Sequence, residues 1–301
     1  MKTKNIFILF LTLILFSSCG EGIVNIGEEK FQPKIVVEGY LSPNNPIENI
    51  KISRNYPINS SISYDDVYLS DADVIITDLQ TNKSYNLIYD PITKAYKYIG
   101  NDLVIGYSKS YMLKVKAVID GNNLYTKCIT TTPDIGFKIH KELSVLGEMK
   151  YREKDIINEN LKYFNIVFDP SPGTDFYIIA TVAQDASVES FIYDNPYFEI
   201  KKDNVIKNFE RYQYESKWIQ NINTGVKKQS KNIDWIDTWF YGNYRTIMYA
   251  GDKNLKDYYI TINQLQEMDG NYHEPKMYFD GDGIGIFGSF IADTVYFKII
   301  K

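Results

Sequence analysis

The residues with the clearest chemistry lie near the amino terminus. Two lysines precede an apolar run over residues 6–16, which Thr12 alone interrupts, and Ser17-Ser18-Cys19-Gly20 follows. A basic head, a short apolar run and small residues before a cysteine are typical of a secretory signal that is cut before that cysteine, whose thiol then carries acyl chains. We therefore predict a lipoprotein signal peptide over residues 1–18 and a lipid anchor, such as palmitate, on Cys19.

Two alternatives apply to this segment: an ordinary cleaved signal and an uncleaved membrane anchor. The apolar run is about half of the roughly 20 residues that a helix needs to span a bilayer. We therefore favour export and attachment to a bacterial membrane through Cys19, followed by a polar tether over residues 19–32.

The densest motif in the chain begins with Asp280-Gly281-Asp282-Gly283. Closely spaced carboxylates on a sharply turning backbone are typical of calcium loops, but the glutamate that ends such a loop does not follow. The structural alternative is a bend permitted by glycine, with apolar residues after it that fill a core. We favour the bend, keep Asp280 and Asp282 as candidate Ca²⁺ ligands, and expect no cofactor besides the lipid on Cys19.

Residues for catalysis are sparse. The two histidines, His140 and His273, have no His or Cys at the spacing of a zinc site, and the chain contains no Gly-x-Ser-x-Gly elbow and no phosphate-binding glycine loop. We expect a protein that is not an enzyme. A hydrolase that uses an unrecognised pair of carboxylates stays open as a less favoured alternative, since sequence does not give the separation of two carboxyl groups.

The net charge and the cysteine content further limit the functional classes to which the protein can belong. The net charge of −5 argues against a nucleic-acid partner, which needs a clustered positive field. With Cys19 assigned to the lipid, Cys128 has no partner for a disulfide. A small buried thiol is the favoured role for Cys128, and a reactive nucleophile is the alternative.

The patterns predict a mostly β protein with two domains. Short alternating runs over residues 33–133 predict an immunoglobulin-like or transthyretin-like β-sandwich, with one hairpin between residues 72–78 and 84–89 and another that turns at Asp120-Gly121-Asn122. Residues 134–301 are expected to form a second β-rich domain.

Within the second domain we predict a hairpin of strands 161–168 and 176–182, joined by a proline-rich turn. The basic, aromatic stretch 201–231 is interpreted as a solvated strand face, and 257–262 as another alternating strand.

Large aromatic residues crowd the stretch 234–250. They predict either a core strand with its loop or an exposed docking patch, because aromatic side chains supply much of the contact area in both settings. Trp235, Trp239 and Tyr241 are the candidate residues for contact with a ligand or partner.

Several segments, taken in order, resemble one family. They are Lys34 to Tyr40, Asp71 to Asp78, Tyr107 with Tyr111 to Val115, Thr132-Pro133, Phe168-Asp169-Pro170 with Tyr177, and Gly283 to Gly288. In these segments the chain is similar to the outer-membrane lipoproteins of Bacteroides-type bacteria known as domain of unknown function 4249. The resemblance covers essentially all of the chain after Cys19.

The resemblance implies an outer-membrane location, on the cell-surface or the periplasmic side, and a role beside a TonB-dependent receptor. The expected function is that of a lipid-anchored accessory or binding protein in nutrient capture. The alternative is a structural or adhesive surface lipoprotein without a role in transport. The expected partners are the receptor and, through the lipid, the membrane, with no nucleic acid.

Overall fold

In the computed structural model the described residues are 31–57, 60–63, 67–262 and 274–301. The predicted signal peptide, Cys19, nearly all of the tether and His273 lie outside the described residues. Residues 33–301 form a single unit. None of the described helices is both long and apolar enough to cross a lipid bilayer.

The described residues are mostly in strands, which confirms the predicted mostly β fold. The strands are β1 (Ile35–Leu41), β2 (Lys51–Arg54), β3 (Asp73–Asp78), β4 (Lys83–Asn86), β5 (Ile88–Asp90), β6 (Ala95–Lys97), β7 (Ser110–Ile119), β8 (Asn122–Thr131), β9 (Lys138–Ile139), β10 (Gly147–Lys150), β11 (Phe164–Asp169), β12 (Tyr177–Ala183), β13 (Tyr214–Ile219), β14 (Gln229–Ile233), β15 (Gly242–Gly251), β16 (Phe279–Gly281) and β17 (Gly283–Ile300). The helices are α1 (Lys202–Lys207), α2 (Phe209–Gln213) and α3 (Lys253–Ile262), with a 3₁₀ turn at Trp235–Asp237.

The largest sheet is organised around the long strand β17. Its order is β13-β12-β15-β17-β1-β2, and β10 pairs with the last residues of β17. On one side β17 pairs in parallel with β1 and then with β10, and from Phe290 onward its other side pairs antiparallel with β15. One strand therefore joins the amino-terminal strands to those of the second half.

Two sandwich-type cores lie along β17. In the first core, the sheet β16-β8-β7-β3-β4 packs against β1, β2 and the start of β17, with Val37, Val115 and Phe287 buried in contact. In the second, the sheet β14-β11-β9 packs against β12, β15 and the end of β17, around Phe164 and Phe297. Apolar and polar residues alternate along many of these strands. One face of such a strand is therefore apolar and packs into a core, while the other face is turned away from it.

Both hairpins that we predicted in the amino-terminal part are confirmed. Strands β3 and β4 pair antiparallel, as do β7 and β8. Asp120 and Gly121 connect the second pair with φ angles of 52° and 77°, the positive values that a two-residue hairpin turn needs.

The predicted hairpin of strands 161–168 and 176–182 is wrong. Both strands exist, but β11 pairs with β14 and β9, while β12 pairs with β13 and β15. Each strand is apolar on a face that the other can cover, so they face each other across the second core, where the rings of Phe168 and Tyr177 lie 5.6 Å apart.

Two further predictions about secondary structure are corrected. Residues 253–262 form helix α3 and not a strand, because Asp252 caps its first turn and Leu255 and Tyr259 lie on one helical face. The stretch 201–231 contains α1 and α2 before β13, so only part of it is a strand face.

The domain boundary that we predicted at Pro133 stays a prediction. The structure adds that strands from both sides of this residue share the largest sheet, since β1 and β2 lie next to β17. The short ribbon β5-β6 adjoins β2 through the bridge between Ile50 and Tyr96.

Candidate functional site

A groove lies on the face of the largest sheet that is turned away from the second core. Its volume is about 400 Å³, and we call it the sheet-face groove. It is lined by Glu38, Tyr40, Ile178, Ala180, Ser216, Tyr249, Leu255, Tyr259 and Phe290. Ile178 and Ala180 reach this face because they alternate along β12 with core residues, as the twofold period of a strand dictates.

Three neighbouring strands hold the aromatic lining. Tyr249 on β15 and Phe290 on β17 meet edge to face, with ring centroids 5.0 Å apart. The ring of Tyr40 on β1 lies 6.1 Å from that of Phe290. Strands of one sheet are rigid supports, so these rings form a preformed, continuous apolar wall.

Helix α3 closes one side of the groove with Leu255 and Tyr259. The ring of Tyr259 lies 6.4 Å from that of Phe176, a fully buried residue just before β12. Phe176, Ile178 and Leu255 form a small buried cluster, and Trp218 of β13 packs against it. The helix and the sheet therefore share an apolar contact directly beneath the groove.

A buried polar network fixes the start of α3. Asp252 accepts a hydrogen bond of 2.9 Å from the Leu255 amide, as a helix N-cap does, and one of 2.6 Å from the Thr130 hydroxyl. Asn254 donates to the main-chain oxygens of Ile129 and Phe287 at 2.7 and 2.8 Å. Burial raises the pKa of Asp252, and its hydrogen bonds oppose that rise.

The tyrosines of the groove keep their protons at neutral pH. Burial raises the pKa of Tyr40, and Tyr259 and the Glu38 carboxylate raise it further. Burial also raises the pKa of Tyr259 and of Tyr249, where nearby Arg245 partly opposes the rise. The groove thus offers neutral hydroxyl groups, which both donate and accept hydrogen bonds.

Glu38 supplies the one carboxylate among the nine lining residues, and none of those nine is a Lys, Arg or His. Lys51 lies 3.8 Å from Glu38 in an exposed ion pair. The lining has no cysteine and no acid–base pair next to a nucleophile, as covalent catalysis would require. Apolar walls with a few polar groups are typical of sites for small ligands.

Two other cavities are less suited to a defined ligand. A cavity of about 470 Å³ beside the start of α3 is strongly charged, and the Lys256–Asp175 ion pair of 2.7 Å stands in its wall. A cleft of about 610 Å³ borders Trp239, and loops and the short helix α2 form much of its wall. Sites on strands and long helices are held more precisely than sites on loops.

The candidate contact residues differ in their surroundings. Trp235 is 2 % exposed and donates from its indole nitrogen to the Lys162 oxygen at 2.8 Å, so its ring belongs to the second core. Trp239 lines the 610 Å³ cleft. Tyr241 is half-buried, and Lys301 lies 5.6 Å from its ring centre. The contact role of all three stays a prediction, and the geometry favours Trp239 and Tyr241.

Asp280 and Asp282 are engaged by the protein itself. Lys127 lies 3.4 Å from Asp280, and Asp282 accepts a hydrogen bond of 3.3 Å from the Tyr125 amide. Among the described residues, no group of three or more His, Cys, Asp or Glu side chains is placed to hold a metal ion. The calcium site stays an untested alternative.

The glycines of this motif have the structural role that we favoured. Gly281 and Gly285 adopt φ angles of 90° and 108°, and a Cβ on either would lie within 2.3 Å of a main-chain oxygen. Only glycine combines this conformation with such close approach. The apolar residue Phe287, which follows, fills the first core.

Cys128 is a buried free cysteine, as we predicted. Burial raises the pKa of its thiol to about 12, so it is protonated and unreactive at neutral pH.

The sequence alone did not point to the sheet-face groove. Its aromatic residues come from β1, β15, α3 and β17, which lie far apart in the chain. One local signal exists: Tyr40 and Tyr249 occupy positions of their strands that alternate with buried residues, whereas Phe290 follows a run of four buried residues over 286–289. Exposed aromatic positions on several strands would have indicated such a face.

The described residues form a mostly β, sandwich-type protein with a groove on one face of its largest sheet. The chain belongs to the family described as "Domain of unknown function (DUF4249)", which matches residues 23–289. This confirms the resemblance noted in the sequence. No curated protein shows significant similarity to the chain.

Proposed function

We propose that this protein is a lipid-anchored accessory protein of the outer membrane that binds a ligand beside a TonB-dependent receptor in nutrient capture. The sheet-face groove is the observation that favours a binding function over a catalytic one. Its lining of aromatic rings, aliphatic side chains and one carboxylate suits reversible binding of a ligand. The location rests on the signal sequence that ends at Cys19, and the receptor rests on the family resemblance.

Tethering supplies the physical mechanism. Acyl chains on Cys19 would hold the protein at the membrane surface, where diffusion is confined to two dimensions. Confinement raises the effective concentration of the binding site near a receptor, so that even a weak interface is occupied. The protein then needs no large docking surface, and a ligand released from the groove meets the receptor at once.

The anchor is tested by labelling cells with radioactive palmitate. The chain has two cysteines, so Cys128→Ala is a matched control for Cys19→Ala. We expect label on the wild-type protein and on Cys128→Ala, and none on Cys19→Ala. An unlabelled wild-type protein, or a full-length form in the cytosol, contradicts the proposed location.

The partner is tested by affinity purification from native membranes followed by mass spectrometry. We expect a TonB-dependent receptor to co-purify with the wild-type protein, and less of it with Cys19→Ala. Recovery of matrix or surface-layer components without a receptor would support the adhesive alternative and contradict the proposed role in transport.

A further inference from the structure

We propose that the sheet-face groove binds an uncharged carbohydrate, one or two pyranose rings of a glycan. The inference rests on the proposed function in that it assigns a ligand class to the groove of a binding protein. Three features of the groove support this inference: the arrangement of its aromatic rings, the charge of its lining and the types of polar group in the lining.

The aromatic wall is a platform and not a cage. Phe290 contacts Tyr249 at 5.0 Å and Tyr40 at 6.1 Å between ring centroids, so the rings abut one another and leave no slot between them. A cage for an organic ammonium group needs rings placed around a central space. The planes of Tyr249 and Phe290 are 87° apart and those of Tyr40 and Phe290 are 49° apart, so a ligand packs on one ring at a time, as the flat, C–H-rich face of a pyranose ring can do.

The charge of the lining disfavours anionic ligands. The nine lining residues include the Glu38 carboxylate and no Lys, Arg or His, so a phosphate or carboxylate would meet repulsion without a compensating cation. Arg245 lies near Tyr249 but does not line the groove. Glu38 already has Lys51 at 3.8 Å, which reduces its pull on a cationic ligand.

The polar groups match hydroxyl ligands. The two oxygens of Glu38 can accept hydrogen bonds, and Ser216 and the tyrosines of the lining carry hydroxyls, which can both donate and accept. Burial raises the pKa of Tyr40, Tyr249 and Tyr259, which keeps these hydroxyls neutral. A sugar can form hydrogen bonds with the hydroxyls of Ser216, Tyr40 and Tyr249 while its ring packs on the wall, whereas a wholly apolar ligand would make no use of these groups. The volume of about 400 Å³ lies in the range of small-ligand sites.

The test uses the mature protein extracted from membranes and purified in a detergent without a sugar headgroup. Neutral trisaccharides of glucose, mannose, galactose and xylose are titrated by calorimetry and by tryptophan fluorescence. Trp218 packs against the cluster beneath the groove, whereas Trp235 is buried in the second core and Trp239 packs against that core and lines the 610 Å³ cleft. We therefore expect binding of at least one sugar, with a fluorescence change that is lost in Trp218→Phe.

Variants locate the site. The double variant Tyr249→Ala/Phe290→Ala removes the wall, and we expect affinity to fall by about tenfold or more. Glu38→Gln should weaken binding severalfold, while Tyr249→Phe, which keeps the ring and loses one hydroxyl, should weaken it far less than the double variant does. Tyr296→Ala is the matched control, because Tyr296 is 57 % exposed on the same strand as Phe290 but outside the groove. Ala180→Phe fills the floor without removing a ring, so it should block binding even if the double variant folds poorly.

The proposal is overturned if none of the sugars binds, if the double variant and Ala180→Phe bind as well as the wild-type protein, or if tetramethylammonium or inorganic phosphate binds in the groove in place of sugars. Receptor co-purification is measured on the same variants. A wild-type protein that co-purifies with a receptor but binds no sugar contradicts the ligand class alone, whereas one that binds sugar but no receptor contradicts the proposed partner alone.

Discussion

The side-chain amide of Asn254 donates a hydrogen bond of 2.8 Å to the main-chain oxygen of Phe287. The same nitrogen donates at 2.7 Å to the oxygen of Ile129, so one buried side chain connects β17 and β8. Because Asn254 is the second residue of α3, the contact also fixes the helix that carries Leu255 and Tyr259 into the groove.

Replacing Asn254 with Ala should lower the free energy of unfolding by about 1–3 kcal/mol, because two buried carbonyl oxygens lose their donor. Urea denaturation at pH 7 measures the change. Asn86→Ala is the control, since Asn86 is exposed on β4, and it should change stability by less than about 0.5 kcal/mol. Equal effects of the two substitutions would show that the Asn254 contacts contribute nothing beyond a surface residue.

Gly285→Ala should destabilise the pairing of β1 with β17. Gly285 has a φ of +108°, and an added Cβ would lie 2.2 Å from the Val37 oxygen, so strand β1 must move or the backbone must change. We expect a loss of about 2–4 kcal/mol in the free energy of unfolding.

Gly121→Ala separates the cost of the positive φ at Gly285 from the cost of the steric clash with the Val37 oxygen. Gly121 also has a positive φ, of +77°, but a Cβ there meets nothing within 4 Å. Its substitution should therefore cost only the conformational strain, about 1 kcal/mol. If Gly285→Ala lowers the free energy of unfolding by no more than Gly121→Ala does, the Val37 oxygen does not approach Gly285 closely enough to clash with a Cβ.

Asp257 should make stability depend on pH in the acid range. Burial alone would raise its pKa, but Lys253 at 2.5 Å, Lys276 at 3.1 Å and the Tyr278 hydroxyl hold it at about 2. Because the pKa is lower in the folded state, the contribution is complete above about pH 4 and is lost as the pH falls through about 2.

Asp257→Asn is the test of this group. At pH 7 the variant should unfold at lower temperature than the wild-type protein, by an amount equivalent to about 1 kcal/mol. The difference should shrink as the pH is lowered from about 4 toward 2. A difference that stays constant over that range would mean that Asp257 titrates normally.

Cys128 should resist thiol reagents in the folded protein, since burial raises the pKa of its thiol to about 12 and its side chain is 3 % exposed. At pH 8 we expect modification only as fast as the protein unfolds, and rapid reaction in urea. Ile92→Cys provides an exposed thiol for comparison, since Ile92 is 91 % exposed. Equal rates at Cys128 and at the introduced cysteine would contradict the burial.

Local sequence predicted what depends on near neighbours. Alternation predicted β11 and β12, and Asp120-Gly121 predicted its hairpin, because strand period and turn conformation are properties of a few adjacent residues. The same rule failed at residues 257–262, where aromatic and β-branched residues suggested a strand. There the cap at Asp252 and the apolar contact with Phe176 favour a helix.

What the sequence by itself determined is the mostly β character, the two amino-terminal hairpins and the family. Only the tertiary structure decided that β1 pairs with β17, which strands face each other across the second core, and that Tyr40, Tyr249 and Phe290 form one wall. Pairing between distant strands depends on which apolar faces cover each other in the whole fold. No local pattern records that choice.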